Sequence, residues 1–262
     1  MRNWLRVFFV GGLTSYRALF HWLSPWIYVP ILLGYPLFQI IFFAYLGRGV
    51  SLESDRFFLI GNGIQITAVA GLFGMAQVMG NERWFQTLPA LLGSPASRLA
   101  LFLGRSLPTM ANAVFVSAFA LVVGALVLGV HIRAGAILTL ALAIAACGFS
   151  CTGLGVCLGA FGFRGRNVFV LANLIDGIFL VLCGVNVPLH QLPGWAQTLS
   201  QGLPLTHAIA ASRAAVAGAG LGDVWRRLAV EALIGAAYLV AGLGLVRAFE
   251  YESRRTASLE GF

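Results

Sequence analysis

The sequence predicts an all-α membrane protein with six transmembrane helices, an N-terminal interfacial helix and a re-entrant helical hairpin between helices 5 and 6. Two features of its composition support this fold class: 59% of the 262 residues are hydrophobic and only 10% are charged, whereas a soluble domain has about 25% charged residues. A third observation that supports it is a series of apolar runs about 20 residues long, which is the length that a helix needs to cross a bilayer. A water-soluble fold of this size would have too few charges to cover its surface.

Six apolar runs are long enough to be membrane spans. The second is interrupted by Asn62, Gln65 and Thr67, and the others are more uniformly apolar. We treat residues 1–262 as one transmembrane domain. The predicted spans cover residues 26–46, 57–79, 109–130, 135–161, 168–187 and 228–248.

The distribution of basic residues predicts the orientation of these spans. All 17 basic residues are Arg, and 11 of them lie on the side of the two termini. Basic residues concentrate in the cytoplasmic segments of membrane proteins. We therefore expect both termini in the cytoplasm, and we interpret the net charge of +8 as a topology signal rather than a nucleic-acid-binding surface.

Residues 1–23 are predicted to form a helix that lies in the cytoplasmic membrane interface. On a helical wheel the Arg residues fall on one side and most of the large apolar residues on the other. Such a helix presents its Arg side chains to anionic lipid headgroups. The Arg side comprises Arg2, Arg6 and Arg17, and the apolar side comprises Trp4, Phe8, Leu19 and Trp22.

Two segments between the spans are too apolar to be ordinary loops. Residues 80–108, on the cytoplasmic side, carry aromatic and apolar residues between charges, which favours packing against the bundle or a soluble partner. A helix that simply lies in the interface remains the alternative. Residues 188–227 are apolar but broken by Pro188, Pro193 and Pro204. Because irregular backbone at membrane depth must be buried in protein, this segment predicts a re-entrant pair of short helices.

Both segments resemble ABC type-2 transporter permeases. Residues 192–195, 203–207 and 212–213 read Leu-Pro-Gly-Trp, Leu-Pro-Leu-Thr-His and Ser-Arg, which is similar to the signature that precedes the last span of these permeases. Residues 82–83, 87–88, 93–95 and 104–105 read Glu-Arg, Thr-Leu, Gly-Ser-Pro and Gly-Arg, and resemble the first cytoplasmic loop of the same family. With six spans and an interfacial helix, the resemblance covers nearly the whole chain.

The resemblance implies the permease subunit of a bacterial ABC exporter in the cytoplasmic membrane. Two permease copies, expected as a homodimer surrounded by lipid, would enclose the pathway. A separate cytoplasmic ATPase would bind ATP and Mg²⁺, and this chain would bind no cofactor and no metal. The absence of Lys from the sequence agrees with this, because the ATP-binding P-loop requires one. The 20 Phe residues favour a hydrophobic or amphipathic cargo such as a drug, a natural product or a lipid-linked glycan.

The resemblance also assigns two groups of residues. The first would couple the permease to its ATPase, and the second would form a gate at the outer end of the pathway. The coupling residues are Glu82, Arg83, Trp84, Phe85, Gln86 and Thr87, and the gate residues are Trp195, Pro204, Leu205, Thr206, His207 and Arg213.

Polar residues inside the predicted spans are candidates for the substrate pathway. Asp176 lies near the middle of the fifth span, where a carboxylate costs about 2.5–3.5 kcal/mol to insert, and Asn173 lies one turn earlier. These two residues form either a pathway face or a buried group paired inside the bundle. Asn62 and Gln65 form a second candidate face, with interhelical hydrogen bonding as the plainer role.

Other functions remain open at this point. Asp176 alone could serve a secondary transporter or channel. Ser150 could serve an intramembrane enzyme, but a nucleophilic serine needs a base within reach, and no His lies in a predicted span. Glu231 is predicted to form a helix-end ion pair with Arg226 or Arg227. The Gly155–Gly159 pair predicts a close helix contact with an unknown partner, and the cysteines are predicted to pack in the core.

Overall fold

The computed structural model describes Trp26 and residues 29–49, 53–84, 98–161 and 168–256. At residues 29, 31 and 32 and over 76–84, 98–109 and 250–256 it describes the backbone only. All regular structure in the described ranges is helical. The interfacial helix predicted over residues 1–23 lies outside them.

Eight α-helices make up the described chain. A π-helical turn, Val29–Gly34, leads into α1, and 3₁₀ turns lie at Ala134–Ala136 and Leu189–Gln191. The helices are α1 (Tyr35–Gly49), α2 (Asp55–Trp84), α3 (Arg98–Leu128), α4 (Ile137–Phe161), α5 (Val168–Leu182), α6 (Gly194–Gln201), α7 (Thr206–Ala217) and α8 (Leu221–Thr256).

Four helical stretches are long and apolar enough to cross a membrane. They are Asp55–Met75, Met110–Leu128, Ala134–Phe161 and Leu221–Phe249, and they correspond to the second, third, fourth and sixth predicted spans. α5 is equally apolar but has 15 residues. The protein is therefore multi-pass and all-helical where described, while the count of six spans stays a prediction.

Two predicted segment boundaries differ from the structure. α2 continues to Trp84 and α3 begins at Arg98, so the predicted loop 80–108 is helical at both ends. α8 begins at Leu221, so the predicted segment 188–227 ends inside the last helix. α2 and α8 extend beyond their apolar runs because backbone hydrogen bonding continues into polar residues that hydropathy excludes, whereas the added residues of α3 are mostly apolar, with Arg98 and Arg105 among them.

α4 lies between α2 and α8, and glycines set how closely these helices approach. A methyl group at Gly155 would lie 2.9 Å from the Gly71 carbonyl oxygen on α2. One at Gly153 would lie 2.6 Å from the Gly235 oxygen on α8, and one at Gly242 would lie 2.8 Å from the Cys157 nitrogen. The close helix contact predicted from the Gly155–Gly159 pair is present at Gly155, where α2 is the partner.

The core and the outer surface have the composition expected of a membrane bundle. Large side chains such as Ile64, Leu72 and Phe179 are fully buried at the helix contacts. The four cysteines are buried as predicted. Large apolar side chains also cover the outside, as lipid contact requires, and examples are Phe38, Phe42, Leu126, Leu233 and Val240.

The predicted re-entrant segment contains two short helices, α6 and α7, joined by a bend. The bend includes Leu205, which has a positive φ of 86°, and it directly follows Pro204, one of the prolines that interrupt the predicted segment. Gly218, with a φ of 113°, ends α7 in the left-handed conformation that glycine adopts at low cost. One side of α7 is buried against α8, α4 and α2.

Candidate translocation site

Five polar side chains form one hydrogen-bonded cluster between α1, α2, α5 and the turn after α5. Gln39 Nε2 donates to Asn62 Oδ1 at 3.0 Å and to Gln65 Oε1 at 2.9 Å. Asn62 Nδ2 donates to Asn186 Oδ1 at 2.8 Å. Gln65 Nε2 donates to Asp176 Oδ1 at 2.6 Å. The cluster thus connects four separate parts of the chain.

The position of these residues follows from helix geometry. Asn62 and Gln65 are three residues apart, so both project from one face of α2, and both are buried. Gln39 and Asp176 are partly exposed and lie at the accessible side of the cluster. Because an unpaired amide inside an apolar bundle is costly, the mutual hydrogen bonds make this buried polar group tolerable.

The sequence analysis placed Asn62 and Gln65 on one candidate face and Asp176 on another. The structure joins these three residues in one cluster. It also adds Gln39 and Asn186, which the sequence reasoning missed. Gln39 had a detectable signal, because it is an isolated amide in an apolar helix. Asn186 had the same kind of signal, because it is an amide near the end of the predicted span 168–187, although the structure places it in the turn after α5.

Asn173 does not join the cluster. Its side chain is exposed and its Nδ2 donates to the Phe169 carbonyl of its own helix at 2.7 Å. Asn173 and Asp176, which the sequence analysis placed together, are therefore in different surroundings. Cys183 is buried, with its Sγ 3.5 Å from the Pro204 carbonyl oxygen.

The cluster retains hydrogen-bonding capacity. Asn186 Nδ2 is buried without a partner. Asp176 takes part in no ion pair with a described residue; the one ion pair in the described chain joins Arg48 and Asp55. A carboxylate beside amide groups can accept a hydrogen bond from a hydroxyl or an amine.

Arg213 connects α7 to the end of the bundle where α2 begins and α5 ends. Its Nη2 donates to the carbonyl oxygens of Phe57 and Val185, each at 3.0 Å. Its guanidinium carbon lies 3.5 Å from the centre of the Phe57 ring, within cation–π range. Arg213 thus connects α7 with the start of α2 and with the turn that carries Asn186.

The other predicted gate residues surround the bend. Leu205 and Thr206 are buried, and the Thr206 hydroxyl has no hydrogen-bond partner. His207 Nε2 lies 3.0 Å from the Gln201 carbonyl oxygen. Pro204 is buried, whereas Trp195 on α6 is 69% exposed.

The helix-end ion pair predicted for Glu231 is wrong. Its carboxyl group is buried; it is hydrogen-bonded to the Ser150 hydroxyl and accepts hydrogen bonds from Leu205 N at 2.7 Å and from Ala208 N at 3.2 Å. Arg227 instead donates to the Ala210 carbonyl at 3.2 Å. The reason is geometric: Arg227 lies on the exposed surface of α8, while Glu231 projects between α4 and α7.

Glu231 also bears on the intramembrane-enzyme alternative, because its carboxyl group is a potential general base next to Ser150 that the sequence analysis missed. However, both side chains are fully buried, and both Glu231 oxygens accept backbone N–H groups. A substrate could not reach this serine. The pair is better explained as a helix contact.

The coupling residues are only partly covered by the structure. Glu82, Arg83 and Trp84 form the last turn of α2. Phe85, Gln86 and Thr87 lie outside the described residues. The structure thus places the first three at the end of a long helix that also carries Asn62 and Gln65.

Comparison with protein families decides the class of the molecule. The model of the ABC-2 type transporter family matches residues 12–216, which includes α1 to α6, almost all of α7, the polar cluster and Arg213. The chain belongs to this family. No curated protein matches the chain. The ABC-2 permease is therefore a multi-pass membrane component of an ABC transport system, a class that works with ABC ATPase subunits.

Proposed function

We propose that this ABC-2 permease is the membrane subunit of an ATP-driven exporter in the bacterial cytoplasmic membrane. It moves a hydrophobic or amphipathic substrate, such as a drug, a natural product or a lipid-linked glycan, out of the cell. The observation that carries this proposal is the polar cluster that joins α1, α2 and α5 within an otherwise apolar bundle. An ionisable residue inside a membrane span, such as Asp176, is a candidate functional group by default.

The cluster offers a binding point for the polar part of such a substrate. Asn62, Gln65 and Asp176 present amide and carboxylate groups next to a partly exposed side chain, Gln39. Asn173 and the exposed apolar residues of α5 extend the same helix surface. An amphipathic molecule would place its hydroxyl or amine at Asp176 and its apolar part against α5.

Two permease copies and a separate ATPase complete the proposed transporter. ATP and Mg²⁺ bind to the ATPase, since this sequence lacks the Lys of a P-loop. Residues 82–87 form the docking surface, and α2 transmits the motion, because this one helix carries Glu82 at one end and the cluster residues Asn62 and Gln65 in its middle.

Replacing Glu82 or Phe85 by alanine is expected to uncouple ATP hydrolysis from transport. Each variant should fold and insert normally, but substrate-stimulated ATPase activity should fall at least tenfold. The measurement is ATPase activity and substrate uptake in inside-out vesicles that contain both subunits. Arg56→Ala is the control, because Arg56 is exposed at the opposite end of α2.

Normal stimulation and transport in both variants would show that residues 82–87 are not the docking surface. Transport that continues without ATP, driven by an ion gradient, would instead favour a secondary transporter. That second candidate is supported by Asp176, which has no ion-pair partner among the described residues.

The α6–α7 hairpin is proposed to be re-entrant at the outer leaflet and to close the exit of the pathway. Cysteine substitutions test this by labelling sealed cells with a membrane-impermeant maleimide. His190→Cys and Gly220→Cys should label from outside, because both positions are exposed, whereas Ala208→Cys should not, because Ala208 is fully buried. The native protein, with four buried cysteines, gives the background. Labelling of either end from the cytoplasm alone would mean that the segment crosses the membrane.

A further inference from the structure

Glu231 is a buried acidic residue that is hydrogen-bonded to two other helices, and it does not belong to the polar cluster. It lies within a candidate membrane span and is fully buried. One carboxyl oxygen accepts from Leu205 N and lies next to the Ser150 hydroxyl, and the other accepts from Ala208 N. The group therefore joins three helices, α4, α7 and α8, at one point.

The backbone groups that Glu231 binds are those at the start of α7. The first N–H groups of a helix have no partner within the helix. Here the bend at Leu205 directs two of them toward α8, and the neighbouring Thr206 hydroxyl has no partner. Glu231 supplies from a different helix the cap that the α7 sequence lacks, and it holds the hairpin to the bundle.

The hydrogen bonds of Ser150 indicate whether the Glu231 carboxyl group is protonated. The Ser150 Oγ lies 3.0 Å from the Cys147 carbonyl oxygen and is also within hydrogen-bond distance of Glu231. A hydroxyl has one proton to donate, so it cannot donate to both acceptors at once. Two separate hydrogen bonds form at Ser150 Oγ when Glu231 carries a proton of its own and donates it to Ser150.

Among the described residues, no arginine forms an ion pair with Glu231. From α8, Arg227 is exposed and donates to the Ala210 carbonyl. From α7, His207 interacts with Glu231 electrostatically, but its Nε2 lies 3.0 Å from the Gln201 carbonyl oxygen and makes no hydrogen bond to the carboxyl group. The groups on α4 and at the end of α5 are buried thiols, Cys147, Cys151 and Cys183. An unbalanced charge in such a place is strongly disfavoured.

We propose that Glu231 is a proton-binding site, and that its neutral carboxylic acid holds the α6–α7 hairpin against α4 and α8. The acid proton is donated to Ser150, Ser150 donates to the Cys147 carbonyl, and the carboxyl oxygens accept the Leu205 and Ala208 N–H groups. On ionisation the proton leaves to water and Ser150 turns its own proton to the carboxylate. A charge then remains inside the bundle, which favours release of the hairpin. If the hairpin is the gate, a point that rests on the proposed function, protonation of Glu231 keeps the gate closed.

The protonation state can be measured directly on the purified full-length protein in lipid nanodiscs. The infrared difference spectrum of native protein minus Glu231→Gln at pH 7 should contain the C=O band of one protonated carboxyl group. Ser150→Ala should shift this band, because it removes the acceptor of the acid proton. A difference spectrum that contains carboxylate bands instead, or a C=O band that Ser150→Ala leaves in place, would overturn the proposal.

Hydrogen exchange provides the second readout, and glutamine provides the matched variant because it is neutral and similar in shape. The backbone amides of Leu205 and Ala208 should exchange as slowly in Glu231→Gln as in the native protein. In Glu231→Ala they should exchange at least tenfold faster. Rapid exchange in Glu231→Gln would show that the ionised carboxylate is the cap. Neither measurement involves transport or ATP, so both remain decisive if the proposed exporter function fails.

Discussion

Replacing Gly235 by alanine is expected to lower the free energy of unfolding by about 1–3 kcal/mol, the usual cost of forcing an extra methyl into a packed core. The new methyl would lie 2.7 Å from Ser150 Cα and 2.8 Å from Phe149 Cδ1 on α4. Since the first of these is a main-chain atom, rotation of a side chain cannot relieve the contact. α4 and α8 would have to separate at the level of the Ser150–Glu231 hydrogen bond.

The same substitution at Gly244, on the same helix, is the matched control. A methyl there has nothing within 4 Å, and alanine is favoured over glycine in helices by about 1 kcal/mol. Gly244→Ala should therefore be neutral or slightly stabilising. Thermal unfolding of the purified protein in detergent measures both variants. Equal melting temperatures for the two would show that α4 and α8 are not in close contact.

Replacing Asp176 by leucine is expected to change transport strongly while the protein still folds. The variant leaves Gln65 Nε2 without its acceptor, at a cost of about 1–3 kcal/mol, but it also removes a carboxylate from an apolar helix. Because Asp176 is partly exposed, the bundle should tolerate this loss. A substrate that donates a hydrogen bond to Asp176 should lose at least tenfold in apparent affinity, which corresponds to about 1.4 kcal/mol.

Asn173→Leu on the same helix separates the cluster from the rest of the α5 surface. Asn173 is exposed and bonds its own helix, so this substitution should change stability by less than about 0.5 kcal/mol and affect transport less. Transport and yield of folded protein are measured for both variants. Misfolding of Asp176→Leu would identify Asp176 as a structural partner of Gln65 rather than a pathway residue.

The helical class of this protein could be predicted from its sequence because the bilayer imposes a simple requirement. A segment of about 20 apolar residues must satisfy its backbone groups internally, and an α-helix does so. Four of the predicted spans therefore coincide with long helices in the described chain. The bend at Leu205 was predictable for a related reason, since Pro204 cannot continue a helix through its own missing N–H.

Hydrogen-bond partners could not be predicted in this way, because they depend on which helices are neighbours. Asn62 and Asp176 were recognised as unusual, but 114 positions separate them along the sequence, and periodicity describes one helix at a time. Glu231 shows the same limit. Its position after Arg226 and Arg227 suggested a local ion pair, whereas its partners belong to α4 and α7.

By itself, the sequence determined that this protein is a helical membrane protein of the ABC-2 type, where its apolar segments lie and where the chain bends. Only the tertiary structure decided that Gln39, Asn62, Gln65, Asp176 and Asn186 form one cluster, and that Glu231 caps α7. The physical reason is the range of the interactions involved. Burial and backbone hydrogen bonding in a span act within a single segment, while the pairing of polar side chains between helices is set by close packing, here where glycines bring α2, α4 and α8 together.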